Sequence, residues 1–157
     1  RPLRSDSTQA GAAAAWTRLG FYGVVVATTL WTVNFALVMA TAGAAANWVA
    51  APAAGQATAY SVAAGVYAAS QAVHNMSVIV LWLALAFVGV GMTLSAIYPR
   101  WMGWVGIVLG IVTVVAVGIV QVFAGPGGAL QMIFVALSLL TTLWALAIGV
   151  WVARKAW

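Results

Sequence analysis

Long apolar runs alternate with short polar breaks along this chain. Four runs cover residues 19–41, 75–97, 102–124 and 129–152. Each is 23 or 24 residues long. A helix rising about 1.5 Å per residue crosses a hydrocarbon core of about 30 Å at that length. The runs are continuous and do not alternate with the two-residue period of a barrel strand. The pattern predicts an all-α, polytopic membrane protein built as a four-transmembrane-helix bundle.

The breaks carry turn chemistry. Tyr98-Pro99-Arg100 separates the second and third runs, and Pro99 ends a helix because it lacks an N–H and restricts its predecessor. Gly125-Pro126-Gly127-Gly128 predicts a tight turn between the third and fourth. Neighbouring spans across these turns are therefore antiparallel. The segment 42–74 is harder to place. It holds Asn47, Trp48, Pro52, Gly55 and Gln56, then a run of Ala, Ser, Val and Tyr. So long a structureless loop is unusual in a compact protein. Residues 57–74 read either as an additional outer helix or as an outward helical extension of the second span, a rod of about forty residues. A fifth span is the remaining option. Residues 1–18 read as a cytoplasmic N-terminal segment, loosely ordered or interfacial up to Thr17, and 153–157 as a cytoplasmic tail. The chain opens on Arg1 and not on Met, so a start is expected to have been trimmed.

Composition narrows the class further. Only 4% of residues are charged and 66% are hydrophobic, against about 25% charged in a soluble domain. There is no Cys, so disulfide scaffolds and thiolate metal sites are excluded. The net charge of +5 comes from six scattered bases. A nucleic-acid footprint needs clustered ones, so no nucleic-acid partner is expected. The positions of the bases matter more. Arg1, Arg4 and Arg18 precede the first span, Arg100 lies between the second and third, and Arg154 and Lys155 follow the fourth. Four spans put all of them on one side. The positive-inside rule then places both termini and the Arg100 turn in the cytoplasm. A fifth span would break this agreement.

Helices in lipid associate through close packing at small residues. Gly91 and Ser95, Gly106 and Gly110, and Ala145 and Gly149 each stand four apart, and Gly103 joins the third-helix set. These are the candidate packing faces inside the bundle or between subunits. Trp16, Trp101, Trp104, Trp151 and Trp157 fall near the inner interface and Trp48 near the outer one, as an aromatic belt requires. Trp31, Trp82 and Trp144 fall deeper, where their N–H groups need partners.

No Asp, Glu, Lys or Arg lies within the four runs. Proton-coupled carriers usually need such a group. One His and one acid cannot build a catalytic triad or a hydrolytic metal site. No catalytic residue and no metal site are expected, and the chain reads as no enzyme on its own. The polar residues that remain are Asn34, Gln71, His74, Asn75, Gln121 and Gln131. The predicted topology gathers them toward the outer leaflet, as a shared polar pocket or as contacts to headgroups. His74 is the only side chain able to ligate haem or a chlorophyll-type pigment, with Met76 a badly directed second. Gln71 and His74 stand three apart on one helical face and could together hold a headgroup, a quinone or a partner. Asn75-Met76-Ser77 matches a glycosylation sequon, but it sits close to the membrane and no glycan is expected.

The stretch YPRWMGWVGIVLG, Tyr98 to Gly110, resembles a feature of uncharacterised multi-helix bacterial integral membrane proteins, in which a Pro-Arg turn precedes an aromatic and Gly-rich helix start. The resemblance implies a bacterial cytoplasmic membrane and transfers no catalytic residue. Three functions stay open. The first is a non-catalytic structural or accessory subunit of a larger membrane protein complex, in contact with lipid and other membrane subunits. The second is a haem-, pigment- or quinone-binding subunit. The third is a small transporter or channel component that acts as an oligomer.

Overall fold

Four prolines punctuate the chain, at positions 2, 52, 99 and 126, and the described residues between them are mostly helical. The structure, a computed structural model, describes residues 3–119 and 128–156. Every regular element there is helical: α1 (Leu3–Ala50), α2 (Gln56–Leu94), α3 (Arg100–Thr113), a π-helical segment (Val114–Ile119) and α4 (Gly128–Ala156). Four helices are long and apolar enough to cross a membrane.

α1 has 48 residues and corrects two expectations. Residues 3–17 belong to the helix and are not a loose segment. At the other end the helix runs past the expected limit of the first span, through Asn47 and Trp48, until Pro52 stops it. Its hydroxyls assist. Thr28, Thr29, Thr32 and Thr41 each donate Oγ1 to the carbonyl four residues earlier, which satisfies them without a partner helix.

The segment 42–74 is thus two arms of one helical hairpin. The turn at 51–55 is held by Gly55 N–H donating to Pro52 O at 2.8 Å. α2 then runs for 39 residues without a break. Of the alternatives for 57–74, the structure adopts the one in which it extends the second span as a single helix. α2 ends at Leu94, short of the expected Ile97, because Ser95 turns to extended backbone (φ −86°, ψ 140°) before Pro99.

The third span is not one uniform α-helix. After Thr113 the backbone widens to π-helical hydrogen bonding over Val114–Ile119. At the junction the Val114 N–H is shared between the carbonyls of Gly110 and Ile111. Gln121 and the Gly125-Pro126-Gly127 part of the expected turn lie outside the described residues.

The helices pack in chain order. α2 is central, with α1 along one side and α3 along the other, and α4 rests on α3 and the π-helical segment. α1 and α2 stay in antiparallel register over their whole length: Gly91 meets Ala13 and Thr17, Gly23 meets Ala84, Trp31 meets His74 and Trp48 meets Tyr60. α1 makes no comparable contact with α4, so the bundle is open on one side.

Small residues set the helix spacing. Gly89 and Gly103 face each other across α2 and α3. Gly110 lies against Ala86 and the Trp82 carbonyl, and Gly106 against the Trp144 ring. Three other small residues do not act this way. Ser95 is outside the helix, and its Oγ accepts from the Ile97 N–H at 3.1 Å. Ala145 is exposed, and a Cβ built at the equally exposed Gly149 meets nothing within 4 Å. That pair therefore faces away from the chain's own helices.

Two apolar clusters fill the interior. Val78, Trp82 and Val117 form one, flanked by Trp31, Phe134 and Leu137. Met92, Met102 and Trp144 form the other, flanked by Tyr98, Ile148 and Trp151.

Candidate functional site

Among the described residues, Asn34, Gln71 and His74 do not form one hydrogen-bonded cluster. Asn34 of α1 is buried, and its Oδ1 accepts from Ser70 Oγ of α2 at 3.1 Å. Ser70 is itself buried. This side-chain bond ties the two hairpin arms together, and each polar group satisfies the other away from water. Ser70 carries no signal in the sequence, being one small hydroxyl among many.

Gln71 and His74 are not joined either. Gln71 Nε2 donates to the Tyr67 hydroxyl at 2.6 Å, one turn back along α2. His74 is half-buried in an aromatic frame. Its ring lies edge-on to Trp31 at 5.2 Å between centroids and to Phe134 at 6.0 Å. Phe134 continues to Trp82 at 5.6 Å. α1, α2 and α4 each contribute to this frame, which lies where α4 meets the central helix. Asn75 is half-buried, whereas Gln131 and Met76 are exposed.

The frame contains a buried donor without a partner. Trp82 is 5% exposed and its Nε1 has no hydrogen-bond partner. Trp144 differs: its Nε1 donates to the Met102 carbonyl at 2.8 Å and locks α4 onto α3. The π-helical segment packs directly against the Trp82 cluster through Val114 and Val117. Such widened turns recur at functional sites. Among the described residues no three His, Cys, Asp or Glu side chains come together.

A second feature lies at the opposite, basic end. A cavity of about 850 Å³ is bounded by the first turns of α1, the last turns of α2 with the connection after it, and Ile148 of α4. Arg18 and Tyr98 line it, and none of the His74 frame does.

Neither the curated proteins nor the solved structures contain a match to this chain. The model of a family described as a domain of unknown function, DUF4386, matches residues 1–155. The match takes in the entire hairpin, both clusters and nearly all of the last helix, and the chain belongs to the DUF4386 family.

Proposed function

We propose that this chain is a non-catalytic accessory subunit of a larger membrane protein complex, seated in a bacterial cytoplasmic membrane with both termini in the cytoplasm. The observation that carries the reading is the length of the α1/α2 hairpin. His74 is level with Phe134, six residues into α4. The start of α4 is therefore level with residue 68, and α2 continues for another twelve residues. That is about 18 Å of paired helix beyond the start of α4.

This outer arm is apolar and uncharged. No Lys, Arg, Asp or Glu occurs between Arg18 and Arg100. Val49 is 75% exposed, and Tyr60 and Val62 are exposed as well. An apolar surface of this kind outside the hydrocarbon marks a contact surface, and a partner subunit that covers the arm accounts for it. The test is copurification in mild detergent. The native chain is expected to bring down a stoichiometric membrane partner, and Val49→Lys with Val62→Lys to release it while the chain stays folded. A chain that purifies alone and moves a solute in liposomes overturns the reading in favour of a transporter component.

A second reading is a haem-, pigment- or quinone-binding subunit. Its support is the buried, unpartnered Trp82 Nε1 in the frame that holds His74. A quinone carbonyl would supply the acceptor that this donor lacks. An absorption spectrum and a solvent extract of the purified chain test it, and a colourless preparation with nothing extracted removes it.

A further inference from the structure

The cavity at the basic end has a shape and a polarity of its own. α1 approaches α2 closely there because Gly91 has no side chain; a Cβ on it would lie 3.0 Å from the Ala13 carbonyl oxygen. α4 does not close the space, since α1 and α4 are not packed together and Ile148 alone reaches it from that helix. The result is a trough of about 850 Å³ with α2 as its floor, within the size range of small-molecule sites. Val88, Met92 and Ile148 make an apolar wall; Gln9, Thr17, Ser95 and Tyr98 add polar groups, and Arg18 is the one charged residue in the lining.

Arg18 brings a cationic guanidinium to the cavity. The chain's one acid is Asp6. It stands twelve residues away on the same helix, about 18 Å along the axis. No carboxylate is among the residues that line the cavity. A guanidinium beside a trough with no other charge matches one ligand chemistry: a chain of methylenes that ends in an acid. We infer that this cavity binds the acyl chain of an anionic amphiphile, with its carboxylate or phosphate on Arg18. The site is at the far end of the molecule from the outer arm, and it stands or falls independently of the accessory-subunit reading.

The experiment uses the full chain in a neutral detergent, with a fluorescent fatty acid as probe and the matching fatty alcohol as its uncharged control. The native chain is expected to bind the acid more tightly than the alcohol. Arg18→Gln should weaken the acid by about tenfold, the worth of one charge-assisted hydrogen bond, and leave the alcohol unchanged. Ala14→Trp, which fills the cavity from α1, should weaken both probes. Unchanged thermal unfolding of each variant shows that the fold is kept. Equal acid binding by native and Arg18→Gln chains overturns the proposal, and so does undiminished binding of both probes by Ala14→Trp. Competition then names the source. Displacement of the probe in nanodiscs by phosphatidylglycerol, but not by phosphatidylcholine, assigns a membrane lipid, and displacement by oleate alone assigns a free fatty acid.

Discussion

Gly89 and Gly103 meet backbone to backbone: a Cβ built on either one would lie 2.7 Å from the carbonyl oxygen of the other. The Thr93 methyl also stands close to Gly103, but the remaining neighbours of both glycines are backbone atoms, so a methyl group there cannot be absorbed by a rotamer change alone. Gly89→Ala or Gly103→Ala is expected to push α2 and α3 apart and to cost about 1–3 kcal/mol. Gly149→Ala is the control. It has open space around it and should stay within about 0.5 kcal/mol of the native chain. Unfolding in mixed detergent micelles measures both, and equal effects at the two sites would contradict the packing described here.

The Asn34–Ser70 bond is a buried side-chain hydrogen bond between α1 and α2. Interhelical hydrogen bonds of this kind are worth about 0.6 kcal/mol and up to about 1.7. A double-mutant cycle with Asn34→Ala and Ser70→Ala should return a coupling energy in that range. Strictly additive losses would show that the two side chains do not interact.

Trp82 and Trp144 offer a matched comparison. Both are buried, yet only Trp144 Nε1 has an acceptor. Replacement by Phe removes ring volume at both positions and a hydrogen bond at one. Trp144→Phe should therefore be the more costly, by about 1 kcal/mol. A larger loss at Trp82 would reveal an acceptor for its Nε1, and a bound quinone carbonyl is the species to look for.

The proposed orientation can be read by labelling. The chain has no Cys, so single cysteines report cleanly. Ala53, in the hairpin turn, and Ala153, near the end of α4, are both exposed. In intact cells an impermeant maleimide should label Ala53→Cys and reach Ala153→Cys only after lysis. The reverse pattern would invert the topology.

The sequence by itself determined the class and the number of spans, because hydropathy and proline are local properties. An uncharged run of this length has few fates, and each proline stands at or near a helix end. It also marked His74 and the deep Trp31, Trp82 and Trp144, since a lone His and deep Trp residues stand out in an apolar chain. Tertiary structure alone decided which faces meet. The spans are apolar almost all the way round, so periodicity gives no inward direction. Small residues at Gly103, Gly106 and Gly110 turn inward while Ala145 and Gly149, with the same spacing, turn outward. Asn34 finds Ser70 across 36 positions of sequence, a match fixed by the register of α1 on α2. The segment 42–74 became two arms of one hairpin for the same reason: α1 and α2 stabilise each other's length by packing, which no single stretch of sequence displays. The cavity beside Arg18 arises in the same way, from one close helix contact at Gly91 and one that α4 does not make.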